Sequence, residues 1–231
     1  FSNPSKGFVV DNGNNTFTYT PDANVNGADS FTLTVSDGMV STAETINVSI
    51  AAVNDAPVIS SSGSNSAIEE TLYGYTITAS DVDGDTLTLS AETLPSWLSF
   101  DPSTGKLSGT PSNDDVGDHL VAFRASDGTA NTEQNFTISV SNTNDAPTLS
   151  TTTSLSTDED VATSAISFTG ADIDGDTLTY SFSNPSKGFV VDNGNNTFTY
   201  TPDANENGSD SFTLTVSDGM VSTAETINVS I

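Results

Sequence analysis

Large apolar residues alternate with Thr or Ser over short stretches of the chain: Phe198-Thr-Tyr-Thr, Phe212-Thr-Leu-Thr-Val, Ile227-Asn-Val-Ser-Ile, Tyr75-Thr-Ile-Thr and Leu87-Thr-Leu-Ser. A period of two puts successive side chains on opposite faces of a strand, so these read as half-buried antiparallel strands with the large residues inward. Gly, Asn, Asp and Pro interrupt the pattern at the spacing of about 8–12 residues expected of a β-sandwich. No stretch has a convincing helical period. The last module should use seven strands, near 148–153, 161–168, 177–183, 188–192, 197–201, 210–217 and 222–231. The expected fold class is all-β, with tandem immunoglobulin-like antiparallel β-sandwiches in a linear array.

Repeats explain why the pattern recurs. Residues 1–50 return as 182–231 with Val25 replaced by Glu206 and Ala28 by Ser209, 48 identities in 50 at an offset of 181. A weaker period of 90 or 91 residues lies inside that one. It relates Asn-Asp-Ala-Pro at 54–57 and 144–147, Asp-x-Asp-Gly-Asp at 81–85 and 172–176, and Ser-Asp-Gly at 36–38, 126–128 and 217–219. Two diverged modules, A then B, duplicated as a unit would give this pattern. The expected domains are 1–53, the later part of an A module; 54–143, a complete B module; and 144–231, a complete A module. The chain starts at Phe1 in mid-pattern, which suggests a window onto a longer array. The first piece keeps only four strands, so its sheets should be incomplete and poorly stable alone.

Composition narrows the function. Lys and Arg number 4 against 31 Asp and Glu, a formal charge of −27. Nucleic acid is excluded as a partner, because phosphate binding needs clustered cations, and anionic membranes are disfavoured for the same reason. With no Cys there is no disulfide, thiol catalysis or thiolate metal site. No apolar run reaches the roughly 18 residues of a membrane-spanning helix, so direct membrane insertion of this segment is not expected.

The carboxylates gather where strands should end. Each whole module has a Glu-centred cluster before its second strand (Glu69-Glu70; Asp158-Glu159-Asp160) and Asp-x-Asp-Gly-Asp before its third. A further group precedes the sixth strand: Asp203-Ala-Asn205-Glu-Asn207-Gly208 in A, Asp22, Asn24, Asn26 and Gly27 in the first piece, and Asn113-Asp114-Asp115 in B. Ser-Asp-Gly follows that strand. Asp, Asn and Gly also make ordinary turns. Oxygen donors at alternate residues, repeated in four groups at constant spacing, suit a hard cation taking six to eight oxygens. Calcium is the expected ion. An EF-hand is not supported, since the loop starting at Asp22 has Leu33 where a bidentate Glu belongs.

The run Leu94-Pro-Ser-Trp-Leu-Ser-Phe-Asp-Pro-Ser-Thr-Gly-Lys-Leu-Ser-Gly-Thr-Pro, the Asp-x-Asp-Gly-Asp and Ser-Asp-Gly groups and the Asn-Asp-Ala-Pro linkers together carry a resemblance over nearly the whole chain. Module B resembles the dystroglycan-type cadherin-like modules of giant bacterial surface adhesins, and module A resembles their sister cadherin-like tandem repeats. The resemblance implies calcium between modules. At the B to A junction it implies Glu69 or Glu70 and Asp114 or Asp115, the linker residues Asn142, Asn144 and Asp145, then Asp172, Asp174 and Asp218. At the A to B junction it implies Asp22 and Asn24, the linker Asn54 and Asp55, then Asp81, Asp83 and Asp127. The sequence departs from animal cadherins in several places. Ala52 and Asn142 replace the first linker Asp, Ala56 and Ala146 replace the last linker Asn, and the Asp-Arg-Glu triplet is absent, so fewer or weaker ions are expected. Pro57 and Pro147 restrict the preceding Ala to extended backbone and stiffen the linker before any ion binds.

The expected role is a calcium-rigidified stalk of an extracellular, cell-surface adhesin. Its expected partners are the neighbouring modules, with like arrays on other chains and surface glycans as further possibilities. The alternative is a calcium-dependent carbohydrate-binding module, which needs an exposed aromatic platform from Trp97, Tyr73 or Tyr75; core packing is the plainer role for all three. No enzyme is expected. His119 is the lone His, and the paired carboxylates recur in every module as scaffolding does.

Overall fold

The computed structural model describes all residues from Phe1 to Ile231 and is built almost wholly of strands. By compactness it divides into two units. The first comprises Phe1–Ala67, Thr71–Pro111 and Gly117–Val140; the second comprises Ile68–Glu70, Ser112–Val116 and Ser141–Ile231.

In the first unit, residues 1–50 form two separate antiparallel ribbons. One pairs β1 (Gly7–Asp11) with β2 (Phe17–Pro21), the other β3 (Gly27–Ser36) with β4 (Ser41–Ile50). The rest of the unit is a sandwich. Its short strands are β5 (Val58–Ile59), β6 (Ser66–Ile68), β7 (Tyr73–Thr76), β8 (Ala79–Ser80) and β9 (Thr88–Thr93). They are followed by β10 (Leu98–Asp101), β11 (Lys106–Gly109), β12 (Gly117–Ser126) and β13 (Asn131–Ser141). One sheet runs β6-β13-β12-β9, a second β10-β11-β7, and β5 pairs with β8. Alternation fills the core: Val121 and Phe123 from β12 and Ile138 and Val140 from β13 meet Leu107, Leu98, Tyr73 and Ile77, and Ala125 continues the buried face of β12. Trp97 and Tyr75 pack against this cluster, with Trp97 edge-on to Tyr73 and His119. Tyr73 is buried, and Trp97 and Tyr75 are half-buried against the cluster, so all three contribute to packing.

The second unit contains β14 (Thr148–Thr151), β15 (Ser154–Ser156), β16 (Ile166–Ala171), β17 (Thr179–Phe182), β18 (Gly188–Asp192), β19 (Thr197–Pro202), β20 (Ser209–Ser217) and β21 (Ser222–Ser230). Its sheets, β14-β16-β19-β18 and β15-β21-β20-β17, enclose Phe168, Phe198, Tyr200, Phe212, Leu214, Ile227 and Val229.

Three local expectations are corrected. The strand expected at 161–168 runs Ile166–Ala171, because Asp160 takes a left-handed φ of 63° and the Val161 N–H turns back to the Asp158 carbonyl. An eighth strand, β15, runs parallel to β21. One helical turn exists, a 3-10 turn at Asn113–Asp115, tied by Asp115 accepting from both the N–H and the hydroxyl of Ser112.

A polar clip recurs in both copies of the duplicated stretch. Asp210, 8% exposed, accepts from the Ser186 N–H and hydroxyl, the Lys187 N–H and the Tyr200 hydroxyl. Asp29 does the same with Ser5, Lys6 and Tyr19. Burial opposes ionisation of Asp210, but these donors outweigh it and bring the carboxyl down to about 2.

Candidate metal centre

The linker after β13 builds the richer of two acidic sites, all of it within the second unit. Pro147 is buried and anchors the linker. The Asp145 N–H donates to Asp174 Oδ2 at 2.7 Å, and the Asn144 amide spans the Asp145 carbonyl and Asp218 Oδ2, each at 2.9 Å. From the 3-10 turn, the Asn113 amide donates to Asp174 Oδ1 at 2.8 Å and Asp145 Oδ2 at 3.3 Å. The Asn142 side chain also bonds Asp174. Glu69 completes the group at 1% exposure. Its Oε1 accepts from the Thr143 N–H at 2.5 Å, while its Oε2 is buried with no partner.

Glu69, Asp145 and Asp174 bring carboxylate oxygens within 4.8 Å of one another, and Asp172, Asp174 and Asp176 form an overlapping group. Asp172 Oδ1 closes its loop by accepting from the Asp174 and Asp176 N–H groups, leaving Oδ2 buried and unpartnered. Gly175, at φ 80°, makes the sharp return that this loop needs. The Asp145 N–H first, then the Asn113 and Asn142 amides, hold Asp174 below the ordinary carboxylate range, against burial and the charge of Asp218. The Asn144 amide, followed by the Val221 and Met220 N–H groups, does the same for Asp218.

The equivalent site in the first unit has the same frame with fewer parts. The Asp55 N–H donates to Asp83 Oδ2 at 2.8 Å, and the Asn54 amide joins the Asp55 carbonyl to Asp127 Oδ2. Asp81 closes the loop through the N–H groups of Asp83 and Asp85, with Oδ2 buried and unpartnered. Asp81, Asp83 and Asp85 form the carboxylate group here. The Ala130 N–H, then the Asn54 amide and the Thr129 N–H, lower Asp127.

The residues singled out by sequence thus fall into three sets. Asn142, Asn144, Asp145, Asp172, Asp174 and Asp218 converge with Glu69, and Asn54, Asp55, Asp81, Asp83 and Asp127 converge without a Glu. The others stand apart. Glu70 is exposed in a left-handed turn at φ 57°, and Asp115 is engaged by Ser112. Asp114 is exposed and lines the adjoining cleft beside Asp145 and Asp172. Asp22 and Asn24 are exposed, and the cleft beside Asp83 is lined by Asn26 instead. Sequence reasoning passed over Asn113, Asp85 and Asp176. Asn113 stands in the acidic group beside its charged neighbours Asp114 and Asp115, and the two Asp residues end the Asp-x-Asp-Gly-Asp motif.

Buried oxygens without partners, in a set of carboxylates and amides with no softer ligand, fit a hard divalent cation such as calcium. Unpaired buried carboxylate oxygens are costly, and a cation removes that cost.

Three family models match consecutive parts of the chain: "Cadherin-like domain" at residues 1–51, "Putative Ig domain" at 56–141 and "Bacterial Ig domain" at 144–231. No curated protein matches it. Among solved structures, mouse protocadherin-24 EC1-3 is 16% identical over 98% of this chain and 90% of that one, at a TM-score of 0.49. Human protocadherin-24 EC1-2 is 17% identical over 77% and 99%, at 0.48. An endo-fucoidan hydrolase of glycoside hydrolase family 107 is 21% identical over all of this chain, at 0.39; the match covers 38% of the hydrolase. The fold therefore rests on the sheets and on the family models, which leave only short linkers uncovered: the chain is a tandem of domains that match cadherin-like and Ig-like family models in turn, each over less than half of its length.

Proposed function

We propose that this chain is a calcium-rigidified extender segment of a large extracellular adhesin, built of modules at 1–53, 54–143 and 144–231. Bacterial Ig and cadherin-like domains are typical of extracellular proteins and typically non-catalytic, which sets the context. The observation that carries the reading is Glu69. A nearly fully buried carboxylate with one unpartnered oxygen, facing Asp145 and Asp174, is a poor arrangement without a cation and a good one with it. Glu69, Asp145, Asp172 and Asp174, with the amide oxygens of Asn113 and Asn142, would hold calcium there. Asp55, Asp81, Asp83 and Asp127 would hold it at the linker before Pro57.

Each ion removes two charges from a cluster in a chain of formal charge −27. It also ties a linker to the loops on either side of it, which turns a jointed connection into a stiff one. The test is thermal unfolding together with small-angle scattering, each in millimolar calcium and in excess chelator. Calcium should raise the melting temperature by several degrees and lengthen the maximum dimension. Identical melting curves would overturn calcium binding. A calcium-dependent melt at constant dimension would overturn the stiffening role.

A further inference from the structure

Four Asn-Gly pairs occur in the chain, at 12–13, 26–27, 193–194 and 207–208. Asn before Gly is prone to a self-modification, because a residue without a Cβ lets its backbone nitrogen reach the preceding side chain. That nitrogen loses its proton and attacks the Asn Cγ, closing a five-membered succinimide and expelling ammonia; water then opens the ring to an aspartyl or isoaspartyl residue. The product carries a carboxylate where an amide stood.

The fold divides the four pairs into two kinds. At 12 and 193 both reacting groups are tied down. The Asn193 amide donates to the hydroxyls of Thr197 and Thr199, at 2.9 and 3.2 Å, and the Gly194 N–H donates to the Asp192 carboxylate at 2.9 Å. Asn12 and Gly13 repeat these bonds with Thr16, Thr18 and Asp11. A carboxylate on that N–H makes its proton harder to remove, and an amide held by two hydroxyls is kept from the nitrogen.

Asn26 and Asn207 are exposed, and no such bonds hold their amides. The Lys6 ammonium instead donates to the Asn26 main-chain carbonyl at 2.6 Å, and Lys187 does the same to Asn207 at 2.5 Å. That carbonyl belongs to the peptide unit whose nitrogen must lose its proton, so a cation on its oxygen makes the Gly N–H more acidic. The nitrogen lies at the last rung of a ladder, Gly27 opposite Ile50 and Gly208 opposite Ile231, and terminal rungs open at little cost. The complete module at 144–231 shares this arrangement with the first piece, so it belongs to the module itself.

We propose that Asn26 and Asn207 are sites of spontaneous deamidation, promoted by Lys6 and Lys187, and that the change at Asn26 adds a ligand to the leaner acidic site. Asn26 lines the cleft there with Ala52, Val53, Asn54, Asp83 and Asp85. A carboxylate at position 26 supplies a further charged oxygen to a hard cation at a site that converges without a Glu. The ligand role rests on the calcium reading; the deamidation does not.

The test holds the full chain and its Lys6→Gln variant in chelator at mildly alkaline pH for several weeks and follows each Asn by peptide mapping with mass spectrometry. Conversion should be several-fold faster at Asn26 and Asn207 than at Asn12 and Asn193. Lys6→Gln keeps the backbone N–H that bonds Asp29, and it should slow Asn26 several-fold while Asn207 in the same molecule keeps its rate. Equal rates at all four pairs, or an Asn26 rate untouched by Lys6→Gln, would overturn the modification. Calcium titration of the Asn26→Asp chain should show binding about tenfold tighter at the site beside Asp83, in keeping with the dependence of calcium affinity on ligand charge. Unchanged affinity in a chain that does bind calcium would overturn the ligand role alone. Absence of binding in both chains would overturn the calcium reading together with that role.

Discussion

Glu69→Gln should stabilise the protein without calcium and destabilise it with calcium. In chelator, the substituted side chain can keep its carbonyl on the Thr143 N–H, and its amide NH₂ replaces an unpartnered oxygen facing Asp145 and Asp174. Leaving a buried polar atom unsatisfied costs about 1–3 kcal/mol, so recovering part of that should give about 1 kcal/mol, a rise of several degrees for a module of this size. In calcium at a hundredfold excess over Kd, the wild type gains about 2.7 kcal/mol. If loss of the Glu69 charge weakens the site a hundredfold, the variant gains only about 0.4 kcal/mol by the same relation. The variant should then lie above the wild type by about 1 kcal/mol in chelator and below it by a similar amount in calcium. Differential scanning calorimetry of both proteins in both conditions measures the crossing. A shift of the same sign and size in both would refute the reasoning, because Glu69 would then contribute to stability without coupling to the ion.

Two further outcomes are expected. Calcium titration should find tighter binding at the Asp145 site than at the Asp55 site, because only the former adds Glu69 and Asn113 to the shared frame; Asp145→Ala should therefore remove the tighter class, and loss of that class in Asp55→Ala would contradict the assignment. Asp210, held down to about 2 by its clip, contributes stability that is present above the unfolded carboxylate value near 4 and is lost as pH falls from about 4 to 2. Asp210→Asn in chelator should flatten that acid loss by on the order of 1–2 kcal/mol, and an unchanged slope of stability against pH would show that the clip carries no linkage.

The strands Thr197–Pro202, Ser209–Ser217 and Ser222–Ser230 were legible because each alternates strictly, so one face fixes the register. The turn at Asp158–Val161 was not, since Val161 reads as the start of the strand that carries Ile166 and Phe168, whereas Asp160 bends the chain just before Val161 and the strand begins only at Ile166. Local spacing identified the Asp-x-Asp-Gly-Asp loops, whose bonds span two to four residues. It could not show that Asn113 meets Asp174 across 61 residues, a contact made by topology. A search for charge also passes over an amide that bridges two carboxylates.

Glu69 against Glu70 is the sharper case. Hydropathy alone would turn Ile68 inward and let both Glu residues reach water. The chain does the opposite: Ala67 and Glu69 are buried, while Ile68 is 52% exposed and Glu70 is exposed in a left-handed turn. A register that exposes Ile and buries Glu runs against transfer free energy at both positions, by about 1.5–3 kcal/mol for the Ile side chain alone if burial were otherwise open to it. Such a local conflict persists where something else compensates. The Thr143 N–H compensates one Glu69 oxygen, and the other has no protein partner to do so. The cation that would satisfy that oxygen is therefore also what would make this register the preferred one, which ties the choice of strand face at residues 66–69 to the ion itself.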